Sequence, residues 1–370
     1  MKRILLTGGG TGGHIYPLIA IVRELRKQPE DLDIKYFGPK DIFSFYLTGE
    51  GVEVKSIISS KLRRYFSLLN FLDIFRFAIS VLQSLWRVFW FMPDVVFSKG
   101  GPGSLPVLLA CRFYSVPIII HESDAVPGRG NQIAARWAKI IFTGFASAVD
   151  IFKKINPAAE IVVSGNPVRS VILSGAKNLN RFFPNVIASE VKQSPVILIL
   201  GGSQGSTRIN DFIFDNLEFL LSKYQIIHQV GNANYLDYMV KCQMSNVKCY
   251  YVTAYLEEKE LTDAYATANL VIARAGAETI FELAAVGKPS VLIPLPESAQ
   301  DHQRQNAYEY AQTGAALVIE EENLLINLFE QELNVILNNK EKLEQMSVAA
   351  RGFYQPEASQ KIISILLDNA

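Results

Sequence analysis

The run Gly8-Gly9-Gly10-Thr11-Gly12-Gly13 follows a short apolar segment, residues 3–7, and precedes a stretch with helical spacing. Gly8, Gly10 and Gly13 have the spacing of a loop that lets backbone amides approach a phosphate at a helix N-terminus. His14 comes next, in the first turn of the expected helix. A helix N-terminus favours neutral imidazole over imidazolium, so this histidine is suited to general-base work. A second glycine turn, Gly201-Gly202-Ser203-Gln204-Gly205, follows the apolar run 196–200. Two such loops facing each other would make a cleft for a nucleotide diphosphate and a second substrate. Nicotinamide enzymes share the first loop, but they need an acid at the end of the second strand. Here that strand ends Tyr36-Phe37-Gly38-Pro39, and Asp41 lies beyond a proline turn, which argues against a dehydrogenase.

Such loops must sit at the ends of buried strands. Short apolar runs at 33–37, 95–98, 117–121 and 140–143 alternate with helix-length stretches, which predicts a doubly wound α/β domain. The pattern restarts near residue 195, with runs at 196–200, 225–229, 247–252, 270–273, 290–293 and 316–319. Each half therefore reads as Rossmann-like and opens with a glycine turn. Between them, 170–194 has no clear period and reads as a linker with an exposed insertion. Residues 333–370 have a helical pattern, with breaks at Gly352 and Pro356.

The chain has 370 residues, 49% hydrophobic and 19% charged, which excludes disorder and suits two domains. Lys plus Arg and Asp plus Glu are each 36, which argues against a uniformly basic nucleic-acid binder. The charge is unevenly placed: residues 1–170 hold 21 basic and 13 acidic side chains, and the remainder is acidic by the same margin. Cys111, Cys242 and Cys249 are too few and scattered for a disulfide framework or a zinc site, and they read as reduced thiols. The N-terminal apolar run is too short for a signal peptide.

Residues 65–92 hold 20 apolar side chains in 28, nine of them aromatic. Lys61, Arg63, Arg64, Arg76 and Arg87 accompany them against one acid, Asp73. The longest uncharged run, 77–86, is ten residues, too short to span a bilayer. Phe66, Trp86, Phe89, Trp90 and Phe91 exceed what packing one helix requires, so the stretch reads as a lipid-interface surface.

Further motifs occur in order across about 300 residues. They are Thr7 through His14, Ser98-Lys-Gly-Gly101, His121-Glu122 with Val126-Pro-Gly128 and Asn131, Gly165-Asn-Pro-Val-Arg169, the second glycine turn, and Asp301-His-Gln303 with Asn306-Ala307. The whole resembles the MurG-type glycosyltransferases of peptidoglycan synthesis. The resemblance implies an α/β fold of the GT-B kind, two Rossmann-like domains with parallel sheets facing across a cleft. It places an N-terminal acceptor and membrane-facing domain at 1–166, a UDP-sugar domain at 167–342, and returning C-terminal helices at 343–370.

It also implies an inverting transfer of N-acetylglucosamine from UDP-N-acetylglucosamine to the undecaprenyl-pyrophosphoryl-N-acetylmuramyl-pentapeptide called lipid I. This would occur at the cytoplasmic face of the bacterial inner membrane, on a peripheral protein without cofactor or metal, and without nucleic acid as a partner. Thr11, Gly12 and Gly13 would lie where acceptor pyrophosphate and donor sugar meet. Arg169 and Ser203 would contact the nucleotide, and Leu256 would read uracil through backbone groups. Ala277, Glu278, Thr279, Ile280, Phe281 and Glu282 would form the donor turn, with Glu282 on the ribose hydroxyls. Gln303 would offer donor and acceptor to the sugar.

His14 is the first candidate base, with Glu122 and Asp124 as runners-up. One departure stands out: the family commonly reads His-Glu-Gln-Asn where this chain has His121-Glu-Ser-Asp124. Asp124 can accept from sugar hydroxyls but not donate, and it keeps two readings, sugar ligand or aid to proton transfer. Two alternatives remain: another GT-B transferase with a different sugar nucleotide or lipid acceptor, and a non-catalytic nucleotide-binding module.

Overall fold

The computed structural model describes the chain except residues 10–11, 40–43, 59–67, 102, 170–171, 173–178, 184–193, 203–204 and 246–248. The described chain forms two compact units, residues 1–169 with 355–370, and residues 170–354. Thr11, Ser203, Lys61, Arg63, Arg64, Phe66 and most of 170–194 lie outside the described residues.

The first unit runs β1 (Lys2–Thr7), α1 (Gly12–Leu25), β2 (Leu32–Gly38), α2 (Ser44–Gly49), β3 (Glu53–Ser56), α3 (Leu68–Phe91), β4 (Val95–Ser98), α4 (Ser104–Phe113), β5 (Ile118–Glu122), α5 (Arg129–Ala135), β6 (Ile140–Thr143), α6 (Ala148–Ile155) and β7 (Glu160–Val163). All pairings are parallel, in the order β3-β2-β1-β4-β5-β6-β7. Strands buried on both faces must be apolar on both faces, and Ile4, Leu5 and Leu6 of β1 fit: alternate residues join separate cores above and below the sheet.

The second unit runs α7 (Leu179–Phe182), β8 (Val196–Leu200), α8 (Thr207–Asp215), α9 (Leu217–Leu221), β9 (Gln225–Gln229), α10 (Tyr235–Ser245), β10 (Tyr250–Thr253), α11 (Glu258–Thr267), β11 (Leu270–Ala273), α12 (Ala277–Val286), β12 (Ser290–Leu292), α13 (His302–Ala311), β13 (Ala316–Val318), α14 (Ile326–Leu337) and α15 (Lys340–Phe353). Its parallel order is β10-β9-β8-β11-β12-β13, the strand permutation of the first six strands in unit one. In both sheets the order reverses beside the strand that feeds a glycine turn: between β1 and β4, and between β8 and β11. Open parallel sheets bind ligands at that reversal, outside the carboxyl ends of the strands.

The chain returns to the first unit at Gln355, not at 343. α15 stays with the second unit, where Phe353 packs on Phe281 and Tyr310 and Ser347 donates to the Gly287 carbonyl. α16 (Ala358–Asp368) places Ile362, Ile363, Leu366 and Leu367 in the core beside β1 and α1. Each such apolar side chain contributes roughly 1.5–3 kcal/mol of burial. Arg169 likewise belongs to the first unit rather than to a domain beginning at 167.

Among the described residues one helix, α3 over Asp73–Phe91, is long and apolar enough to cross a membrane. Its inner face is packed: Ser80 and Ser84 are buried, and Val88 and Phe91 join a core with Val96 and Val107. Its outer face carries Phe75, Ile79, Leu82 (67% exposed), Trp86 (65%), Phe89 and Trp90 (68%), and the two indoles meet edge-on at 5.6 Å.

Candidate active site

In the first unit, two glycine turns are stacked at the sheet's reversal point. Gly101 adopts φ +93°, and a Cβ there would lie 2.3 Å from the Gly9 carbonyl oxygen, so only glycine permits the approach. Lys99 N–H donates to Thr7 O at 3.0 Å, and Tyr36 Oη donates to Gly8 O at 2.5 Å, which fix the two turns from the strand side. Gly12, Gly13 and His14 form the first turn of α1, and Gly12 is buried. The Arg169 guanidinium stacks over the Tyr16 ring at 4.3 Å, two residues beyond His14. The structure thus brings Gly12, Gly13, His14 and Arg169 to one end of α1.

Beside them lies a polar cluster on the carboxyl end of β5. Buried Lys99 donates through Nζ to His121 Nδ1 (2.9 Å), Ser123 Oγ and Asn166 Oδ1 (3.3 Å). An ammonium can only donate, so His121 Nδ1 accepts and its proton sits on Nε2, which donates to Gly165 O at 3.0 Å. Burial first, then the Lys99 charge, hold His121 well below the ordinary imidazole range, against the pull of the Gly165 carbonyl. This histidine is a neutral structural link.

Glu122 accepts three N–H bonds: from Asp124 N (3.0 Å) on one oxygen, and from Gly128 N (2.9 Å) and Asn131 Nδ2 (2.9 Å) on the other. Burial, with the neighbouring Asp124 charge, pushes its carboxyl up to about 7, against those three donors. Both oxygens are engaged in shaping the turn that carries Asp124.

In the second unit, Ala277, Glu278, Thr279, Ile280, Phe281 and Glu282 form the first turns of α12, entered through Gly276. Ile280 and Phe281 are buried in the core, so any ligand there could meet only their backbone, while Glu278, Thr279 and Glu282 are partly exposed. Tyr265 Oη donates to Glu282 Oε2 at 3.0 Å and so orients that carboxylate. Leu256 is buried, and its N–H is engaged by Gln229 Oε1 at 3.0 Å. Gln303 Oε1 accepts from Leu295 N–H at 3.1 Å, which orients the amide and leaves the oxygen a second lone pair. The turn before it places Gln300 and Asp301 consecutively at φ near +57°.

Sequence reasoning assigned no role to Arg274, which is buried between three elements. It donates to Ile293 O and Pro294 O (both 3.2 Å) and to Ser206 Oγ (2.6 Å), and it pairs with Glu321. Ser206 is the N-cap of α8, the helix that follows the second glycine turn. The sequence signal was an arginine directly after an apolar strand, where a charge needs a partner.

Comparison with known proteins bears on both units. Residues 4–143 match the glycosyltransferase family 28 N-terminal domain, and residues 196–362 match the family 28 C-terminal domain. A Clostridium botulinum (strain Langeland) protein is 38% identical over 342 residues, covering 92% of each chain. It is named UDP-N-acetylglucosamine–N-acetylmuramyl-(pentapeptide) pyrophosphoryl-undecaprenol N-acetylglucosamine transferase. A Bacillus cereus protein of the same name, numbered 2, is 37% identical over 98% of each chain. Among solved structures, Acinetobacter baumannii MurG superposes with a TM-score of 0.73 at 24% identity over the whole of both chains. A Neisseria meningitidis UDP-GlcNAc 2-epimerase bound to UDP-GlcNAc gives 0.70 at 14% identity. The last two likenesses speak to the fold.

Proposed function

We infer the reaction from kinship: this chain belongs to glycosyltransferase family 28, and within it to the MurG group of N-acetylglucosamine transferases. It transfers N-acetylglucosamine from UDP-N-acetylglucosamine to lipid I, forming the disaccharide lipid. The observation that carries the reading is near-full-length identity of 37–38% to proteins of that name, together with phosphate-type glycine turns at both sheet reversals.

In the reading we favour, a base takes the proton of the acceptor 4-hydroxyl as its oxygen attacks the sugar C1. The bond from C1 to the diphosphate oxygen breaks, and UDP leaves with inversion. Backbone amides at the α1 and α8 ends can stabilise the anionic groups. His14 is the proposed base, with Glu122 and Asp124 as the alternatives. Arg169 and Glu282 are proposed ligands of the nucleotide, with Tyr265 holding the Glu282 carboxylate for the ribose. The decisive assay incubates the protein with UDP-N-acetylglucosamine and a lipid I analogue. UDP release coupled to a disaccharide-lipid product is expected, and UDP release without that product would overturn the reading.

We also propose that α3 seats the first unit on the anionic inner leaflet. Its packed inner face argues for lying on the membrane rather than crossing it, and its outer indoles with the exposed Arg76 suit the headgroup boundary. The double substitution L82E/W86E should weaken binding to anionic vesicles by more than about tenfold. Transfer to a water-soluble acceptor analogue should persist. Unchanged vesicle binding would remove the membrane assignment.

A further inference from the structure

Gln229 ends β9 and is 5% exposed, yet its side chain packs on neither core as an apolar residue would. Instead it spans two neighbouring strand ends. Its Nε2 donates to Gly202 O at 3.2 Å, in the glycine turn after β8, and its Oε1 accepts Leu256 N–H at 3.0 Å, in the segment after β10. Its backbone reinforces the first link, since Gly201 N–H donates to Gln229 O at 3.4 Å. The next residue ties the same three strands: Val230 N–H donates to Thr253 O (3.0 Å), and a Cβ on Gly205 would fall 2.2 Å from Val230 O.

The sequence reads the glycine turn that holds Gly202 as a phosphate seat, and Leu256 is the proposed reader of the base. We propose that Gln229 is a positioning residue that sets the span between these two seats, so that a uridine diphosphate is gripped at both ends at once. The inference rests on the donor assignment above. An amide is suited to the task, because one neighbour presents a carbonyl and the other an N–H, and its NH2 and oxygen, set apart at the end of the side chain, meet both while uncharged. A carboxylate would face the Gly202 carbonyl without a proton. A preset span lowers the ordering cost of a two-ended ligand, and that advantage does not exist for either end alone.

The test is Gln229→Met, which keeps the volume and removes both hydrogen bonds. UDP, uridine and inorganic pyrophosphate are titrated against wild type and Q229M by calorimetry, with thermal unfolding run in parallel. UDP affinity should fall about tenfold, as two neutral hydrogen bonds are lost. Uridine and pyrophosphate affinities should stay within twofold. KM for UDP-N-acetylglucosamine should rise with kcat nearly unchanged. Equal UDP affinity in Q229M and wild type overturns the proposal and leaves the donor assignment standing. A parallel loss for uridine or pyrophosphate overturns it too, by showing that the side chain serves one seat only. Failure of wild type to bind UDP overturns the donor assignment itself and this inference with it.

Discussion

Replacing His14 with alanine should lower transfer about 10²–10⁴-fold while UDP affinity stays within twofold. His14 is the third residue of α1, beside the two stacked glycine turns and one half-turn from the Tyr16 ring that carries Arg169. A group at that helix end can reach an acceptor whose diphosphate rests on the same turn. The other candidates are constrained differently. Glu122 is buried and accepts N–H donors on both oxygens, so it shapes the loop and is less open to a substrate than Asp124. Asp124 sits on that loop and is partly exposed. The comparison with Asp124→Asn therefore separates the two readings, because asparagine keeps the shape and cannot take a proton at neutral pH. Should Asp124→Asn lose turnover while His14→Ala keeps it, the base is Asp124. Titration with UDP distinguishes either result from a collapsed donor site.

The central strands were legible because burial on both faces demands unbroken apolar runs. β4, β6, β8, β9 and β11 fall on the residues read as strands. β3 and β7 were missed, and both are edges of their sheet, where one flank needs no apolar partner. Glu53 and Lys55 in β3 make a charged edge of the kind that also deters pairing with other chains. Gly352 did not break a helix, since α15 runs through it to Phe353. The chain turns instead at residues 354–357, around Pro356.

Local geometry was legible: Gly8 and Gly9 follow β1, Gly201 and Gly202 follow β8, and α12 starts at Ala277. A role was not legible where it depends on a distant partner. Nothing near Gln229 in sequence announces Gly202 and Leu256, and nothing near Lys99 announces His121 and Asn166.

Removing the Glu122 carboxylate should cost on the order of 3 kcal/mol of stability as Glu122→Ala, since three N–H donors lose their acceptor in a mostly buried loop. Amide exchange at Asp124 and Gly128 should quicken first, because those two bonds vanish whether or not the whole unit loosens. The pH dependence tests the electrostatics separately. Burial and the Asp124 charge raise this carboxyl from an ordinary 4.5 to about 7 in the folded protein. The folded state therefore holds its proton more tightly than the unfolded chain. Its contribution to stability is full below pH 4.5 and is lost as pH rises through 7. Glu122→Gln carries no titrating proton, so it should lack this decline while resembling the protonated wild-type side chain near pH 4.5. Measured by urea unfolding from pH 4.5 to 8, the wild-type curve should fall relative to the glutamine variant, with the gap opening between 4.5 and 7. Parallel curves would mean that the three N–H donors outweigh burial and keep Glu122 ionised throughout. In that case glutamine, with one oxygen for three donors, should be the less stable protein at every pH.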